Sequence, residues 1–300
     1  MIETNPVPFN GNFAIGVRIG KRGIVKRDVI AGIQVHMPFH FLRETFLSTV
    51  LAEGINPEVA INHRHLEGYP REAFREVGLK LQEAGLRVTI HAPFLDLRPG
   101  AIDPKIRRVT ADRIAEVLDL AGFFSPSSIV CHAAFDERYY LSGEEQWLHN
   151  SMETFRAFLP RAEELACPIC VENVYETEPT MLRRLLDGVD SPFFRFCFDT
   201  GHCNVFSDAP MGSWIDVMSP YLGQLHIHDN QGVKDQHLPP GDGKFPFADL
   251  FAVLKKRRLK PVITLETHSV ENFRRAVERL DVFGWLPLYD EESGSSGRQG

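Results

Sequence analysis

A chain of 300 residues, 43% hydrophobic and 24% charged, has room for one large α/β domain or two smaller ones and carries the composition of an ordinary globular protein. A formal charge of −7 argues against a general nucleic-acid binder, which needs a basic face to offset phosphate. Met1 to Gly11 lack the charged-then-apolar layout of a signal peptide and no apolar stretch approaches a membrane span, so the expectation is a cytoplasmic protein with no membrane partner.

In chain order, residues 13–19 alternate and stop at Gly20, which predicts a first strand. Residues 20–37 are punctuated by glycine and hold a second apolar patch at 33–37, read as a hairpin insertion. Residues 39–52 have helical spacing, with Phe41, Leu42, Phe46, Val50 and Leu51 on one side, and 57–62 is the next strand. A regular rhythm follows. Helices are predicted over 70–84, 103–122, 144–166, 178–187, 212–220, 246–257 and 269–284. They alternate with strands over 86–90, 128–131, 168–171, 194–198, 224–227 and 261–265.

Eight strand-like runs separated by helices call for a parallel sheet, and that count predicts closure into a single-domain (β/α)8 TIM barrel over residues 1–287. Residues 288–300 are acidic and then Gly/Ser-rich, and read as a disordered tail or an appended linker. The cysteines number five, an odd count for a disulfide framework, and read as reduced thiols. Cys167 and Cys170 form a C-x-x-C, but Val171-Glu172-Asn173 continue a strand where a redox pair needs a helix N-terminus.

The polar residues gather where strands end. Strand three runs into His91, strand four into His132, strand five into Glu172, strand six into Asp199 and His202, and strand eight into Glu266. Strand seven ends in His226, His228 and Asp229, and a Gly/Pro-rich loop then carries Asp235 and His237. A barrel of this kind places its chemistry on that face. A lone histidine at a strand end is more often a satisfied structural residue than a ligand, but convergence on one rim reverses the odds. Two carboxylates ~5 Å apart repel by about 3 kcal/mol at an effective dielectric near 20, so Glu172, Asp199, Asp235 and Glu266 must either take up protons or share a cation. The mixed imidazole and carboxylate set suits Mn²⁺, Zn²⁺, Fe²⁺ or Co²⁺ better than Ca²⁺, and no organic cofactor is expected.

Taken together, His91-Ala-Pro-Phe, Val171-Glu172-Asn173, Asp199-Thr-Gly-His202, His226-Ile-His-Asp-Asn, Asp235-Gln-His237-Leu-Pro-Pro-Gly-Asp-Gly and Leu265-Glu266-Thr resemble the xylose-isomerase-like TIM-barrel superfamily. That superfamily holds sugar and sugar-phosphate isomerases and epimerases, inosose dehydratases and the endonuclease IV family. The isomerase and epimerase members imply a metal held by Glu172, Asp199, His226 and Glu266. Glu172 and Glu266 would be base and acid on a carbohydrate substrate that reacts through an enediolate. His202 would hydrogen-bond a substrate oxygen, and His228, with His63 or His65 after strand two, would line the pocket. Barrels of this kind often pair, so a homodimer or homotetramer is expected.

The endonuclease IV members imply a different use of the same residues. There His91, His132, His202, Asp235 and His237 join the other four to bind up to three zinc ions that cleave a phosphodiester. Two features count against that use. Glu172-Asn173 is followed by Val-Tyr-Glu-Thr-Glu rather than a small Gly-containing stretch, and the loop from His226 to Asp235 lacks a longer Ser/Lys/Arg-bearing segment. The one basic run, Lys255 to Arg258, falls at a helix C-terminus on the opposite face, where cations suit the helix dipole. A carbohydrate- or metal-binding barrel without turnover is a third reading, disfavoured because a binder has no need of two flanking acid/base groups.

Overall fold

Short runs rich in β-branched and aromatic residues, separated by longer amphipathic ones, can bury both faces of a sheet only if helices cover its outside. The computed structural model describes residues 23–283. Eight parallel strands close into a barrel in sequence order. They are β1 (Gln34–Pro38), β2 (Asn56–Ala60), β3 (Thr89–His91), β4 (Ile129–His132), β5 (Ile169–Glu172), β6 (Phe194–Asp199), β7 (Leu222–Ile227) and β8 (Val262–Leu265).

One expectation is corrected. The patch at 33–37 is not a hairpin insertion but β1 itself, which pairs in parallel with β2 on one side and with β8 on the other. The register Gln34↔Thr264 and Val35↔Leu265 closes the barrel. A hairpin would have needed an antiparallel neighbour, and the flanking helices Gly23–Gly32 and 39–53 leave none. The strand expected over 13–19 lies outside the described residues, as does the tail 288–300. Helix 39–53 includes a π-turn over Leu42–Phe46 and ends at Gly54, whose φ of +68° is the left-handed cap that favours glycine.

The other helices fall near the predicted bounds, among them Arg71–Glu83, Pro104–Ala121, Glu144–Glu164 and Phe247–Arg257. Their apolar faces pack Phe74, Val117, Trp147, Phe155, Leu185, Trp214 and Leu250 against the outside of the strands, in a core that surrounds the barrel. Lys255, Lys256 and Arg257 occupy the last turn of Phe247–Arg257, before β8 and away from the mouth. Among the described residues no helix is long and apolar enough to cross a membrane.

Inside the barrel, side chains two residues apart stack in layers. Thr89 precedes His91, Cys170 precedes Glu172, Cys197 precedes Asp199, Gln224 precedes His226, and Thr264 precedes Glu266. The layer below the mouth is therefore partly polar and fully buried, and its polar members are hydrogen-bonded to one another. Ser128 donates to Gln224 Oε1 at 2.5 Å, and Gln224 Nε2 donates to Glu58 Oε2 at 2.5 Å.

Candidate metal centre

The last inward-facing position of each strand sits at the rim, and neighbouring strands set their rim residues side by side. His132 is in register with Glu172, and Asp199 with His226. Glu172 is the centre of this rim. Its Oε2 lies 3.3 Å from His91 Nε2 and 3.1 Å from His132 Nε2. Its Oε1 lies 3.3 Å from His202 Nδ1 and 3.2 Å from His226 Nδ1. His226 Nδ1 in turn faces three carboxylates, with Glu266 Oε1 at 2.9 Å and Asp199 Oδ2 at 3.9 Å beside Glu172.

Backbone carbonyls orient two of the imidazoles. A carbonyl can only accept, so His91 Nδ1 donates to Ala92 O at 2.8 Å and His202 Nδ1 donates to Asn173 O at 3.0 Å. The Nε2 atom of His91 is left facing Glu172, and that of His202 faces Asp235 Oδ2 at 3.5 Å. Asn173 also clamps the ends of β5 and β6 together, donating to Asp199 O and accepting from Asp199 N. Asp199 caps helix Thr200–Phe206 by accepting from His202 N at 2.6 Å, which fixes its carboxylate at the rim.

A second group of donors lies above the first. Asp235 Oδ2 is 3.0 Å from His237 Nε2, and Asp235 Oδ1 is 3.5 Å from His228 Nδ1. His237 stacks flat between His228 and His268, with ring centroids 3.9 and 4.0 Å away. The loop that carries His237 is tied down by Asp229, whose carboxylate accepts from the backbone of Asn230, Gly241, Gly243 and Phe245. That is why the Pro-Pro-Gly-Asp-Gly run follows: a Cβ on Gly243 would lie 2.2 Å from Asp229 Oδ1.

The donor set suits a divalent cation. Ligand atoms of His91, His226 and Glu266 lie within 4.8 Å of one another, as do those of His91, His132 and Glu172, of Asp199, His202 and His228, and of His228, Asp235 and His237. Ligands on one such ion, at about 2.0–2.3 Å each, span similar separations. His228 Nδ1 and His237 Nδ1 are buried without a hydrogen-bond partner, as ring nitrogens reserved for another ligand would be. Burial would raise the pKa of Glu172, but His226, His132 and His202 hold it well below the usual carboxylate range. Burial likewise opposes the charge on His226, yet Glu58, Glu172 and Glu266 lift its pKa well above the usual imidazole value. The centre is thus a block of opposed charges in which a cation would displace protons from the imidazoles.

The model of the xylose isomerase-like TIM barrel family matches residues 52–284. The chain belongs to this family. It is 26% identical over 215 residues to the uncharacterized protein MJ1311 of Methanocaldococcus jannaschii, covering 69% of this chain and 72% of that one. Among solved structures, a D-tagatose 3-epimerase-like protein superposes with a TM-score of 0.71 at 20% identity, covering 84% of this chain and 96% of the other. A Thermus thermophilus protein, TTHB071, soaked with ZnCl2, superposes with a TM-score of 0.68 at 24% identity, covering 84% and 97%. At these identities the structures are alike in fold.

Within this xylose isomerase-like barrel, every residue that the sequence suggested as a ligand reaches the mouth. His228 sits deeper than a pocket-lining role implies, fully buried with Nε2 3.0 Å from Asp199 Oδ1. His63 and His65 stand apart, lining a cleft of about 870 Å³ beside His91 that also carries Phe41, Phe94 and Phe273. His65 is taken up by helix capping, since its Nδ1 accepts from Asn62 N, and its Nε2 lies 2.9 Å from His40 Nδ1. Burial lowers the His65 pKa to about 4. The Cys167 and Cys170 thiols are free and buried, with burial pushing Cys167 up to about 12, which agrees with packing rather than redox chemistry.

Sequence reasoning missed Glu58 and His36. Both face the barrel interior beneath the rim, where ligand atoms of His36, Glu58 and Glu266 lie within 4.8 Å of one another. The available signal was a charged residue in the middle of a buried strand, Asn56-Pro57-Glu58-Val59-Ala60, which is costly unless the charge is paired.

Proposed function

We propose that this chain is a divalent-cation-dependent sugar isomerase or epimerase, with Glu172 and Glu266 as its proton-transfer pair. The observation that carries this reading is the convergence of Glu172, Asp199 and Glu266, from three strands, on one nitrogen of His226. A cation held by these four residues, of the Mn²⁺, Zn²⁺, Fe²⁺ or Co²⁺ class, supplies the positive charge that acidifies a C–H beside a sugar carbonyl. Glu172 and Glu266 reach the mouth from the ends of β5 and β8, on either side of His226; one carboxylate would take the proton from a carbon lying between them, and the other, after taking up a proton from water, would deliver it to the opposite face. His202, its Nδ1 committed to Asn173, has Nε2 facing Asp235 at the mouth, from where it would hydrogen-bond a substrate oxygen. The cleft beside His91 gives the rest of the substrate an apolar wall of Phe41, Phe94 and Phe273, with more room than a lone ketohexose fills. The D-tagatose 3-epimerase-like neighbour makes ketoses the first substrates to try.

The test is to incubate metal-loaded protein with a panel of ketohexoses, D-tagatose first, in D2O. Deuterium should appear at the carbon next to the carbonyl and vanish with Glu266→Gln. Absence of exchange across free, phosphorylated and glycosylated ketoses sinks the reading.

A second reading, a phosphodiesterase with up to three zinc ions, is favoured by one observation. Glu172 is enclosed by four imidazoles, while Asp235, His237 and His228 form a further donor group, so the mouth holds more ligands than one ion needs. Elemental analysis separates the two. One ion per chain favours the isomerase, and three ions with cleavage of a phosphodiester favour the hydrolase.

A further inference from the structure

Glu58 is fully buried on β2, one layer below the rim, and no step above uses it. Its two oxygens have different surroundings. Oε2 accepts from Thr89 Oγ1 at 2.9 Å, Thr264 Oγ1 at 3.0 Å and Gln224 Nε2 at 2.5 Å. Oε1 has none of these donors, and His226 Nε2 lies against both oxygens, 3.3 Å from Oε2 and 3.2 Å from Oε1. A carboxylate fixed by three side-chain donors is a preset acceptor, with lone pairs to spare for the hydrogen of a fourth group set against it.

Among the described residues, the other nitrogen set against His226 Nε2 is Gln224 Nε2, at 3.3 Å. Both hydrogens of that amide are committed, one to Glu58 and one to Thr264 Oγ1 at 3.0 Å, while its oxygen accepts from Ser128. No hydrogen is left there to donate to the imidazole. The ring therefore carries its own hydrogen on Nε2 and gives it to Glu58, and the opposite nitrogen, Nδ1, points at Glu172, Asp199 and Glu266. The ring itself is fully buried between the two sets of carboxylates.

We propose that Glu58 is a positioning residue, whose carboxylate accepts the Nε2 hydrogen of His226 and so presents the Nδ1 lone pair to the cation. It would form with His226 the carboxylate–histidine pair that orients ligands in other metal centres, supplied here from the interior of the barrel rather than from its rim. This inference rests on the cation reading above, but its own signature is separable from it.

The substitution Glu58→Gln keeps the shape of the side chain and inverts the logic. Gln224 still requires an acceptor, so the new amide turns its oxygen toward Gln224 and its NH2 toward His226. That NH2 donates to Nε2, which must then be bare, and the ring hydrogen moves to Nδ1, where a cation would bind. Zn²⁺ affinity, measured by competition with a chromogenic chelator, is expected to fall roughly 10–100-fold. Glu58→Asp retains the acceptor at a longer reach and should lose less. In ¹⁵N-histidine spectra of the metal-free protein, taken at a pH high enough that the His226 ring has lost one of its two hydrogens, Nε2 should keep a hydrogen in the wild type and in Glu58→Asp and lack one in Glu58→Gln. Equal Zn²⁺ affinities in the wild type and Glu58→Gln, or a hydrogen retained on Nε2 in Glu58→Gln, overturns the proposal. If the wild type takes up no divalent cation the cation reading falls, while the hydrogen on Nε2, observed on the neutral ring without metal, still decides Glu58. If Glu58→Gln does not fold, Glu58→Asp decides: its Nε2 must carry the hydrogen, and a bare Nε2 in that variant or in the wild type is fatal.

Discussion

Glu266 Oε1, just past the end of β8, lies 2.9 Å from Nδ1 of His226 on the adjacent β7, and Glu172 approaches the same nitrogen at 3.2 Å from β5. A buried imidazole nitrogen has at most one hydrogen to share between two such carboxylates, so one hydrogen bond cannot satisfy both, whereas the proposed cation would. Under the proposed reading the two carboxylates divide the proton transfer. Glu266→Gln keeps the shape and removes the base, so kcat should drop at least about 100-fold while binding of the ketose, followed by calorimetry, changes little. Turnover at the wild-type rate would remove Glu266 from the chemistry.

Under the same reading, this crowding should make the stability of the folded state depend on the cation. Stripping the protein with a chelator leaves Glu172, Asp199, Glu266 and Asp235 facing one another with only imidazolium charges between them. Readdition of Zn²⁺ or Mn²⁺ at about 1,000 times its dissociation constant should raise the unfolding free energy by about 4 kcal/mol. Because the neighbouring carboxylates raise the His226 pKa against the effect of burial, protons compete for its ring, and metal affinity should strengthen as pH rises through neutrality and weaken as it falls. A Tm unchanged by chelation and by both metals would contradict a structural dependence on the cation.

What the sequence made legible was the rim. His91, His132, Glu172, Asp199, His226 and Glu266 each end an apolar run abruptly, and such breaks are visible without knowing which strands are neighbours. Glu58 was missed for the same reason in reverse. It lies mid-strand between Pro57 and Val59, and only the closed barrel shows that its face of β2 looks across at Gln224 on β7. The assignment of β1 failed because closure is a non-local choice. Local alternation favoured 13–19, whereas pairing of Gln34 with Thr264, at the far end of the chain, selects the later run. Tautomers such as that of His202 were equally out of reach, since they depend on a carbonyl delivered by Asn173 from another strand end.

Gly201 separates helix Thr200–Phe206 from the His228 ring. A Cβ there would lie 2.0 Å from His228 Cε1 and 2.3 Å from Nδ1. The ring cannot retreat, because Asp199 holds its Nε2 on one side and His237 stacks on its face. Gly201→Ala should therefore cost on the order of 1–3 kcal/mol in denaturant unfolding, as overpacking does, and should weaken metal binding by displacing His228 from Asp199 and Asp235. A variant as stable as the wild type, with unaltered metal affinity, would show that His228 has slack that these distances deny.

Glu176 gives a pH signature separate from the rim. It is buried in the loop after β5, with Oε2 accepting from Val174 N at 2.7 Å and Oε1 without a partner. Burial outweighs that hydrogen bond and raises its pKa to about 7, from an ordinary 4.5. In the unfolded chain the group ionises near the ordinary value, while in the folded chain it keeps its proton to about neutrality. Below the unfolded pKa both states are protonated and the group costs nothing. As pH rises from there toward the folded pKa, the unfolded state gains by ionising first and stability is lost, by up to about 3 kcal/mol for a shift of this size. Glu176→Gln should abolish that slope. Measured by urea unfolding, the variant should match the wild type near pH 4.5 and exceed it by about pH 8, with the gap opening between those values. Parallel curves for the two proteins across that range would mean that water or a rearranged loop solvates Glu176.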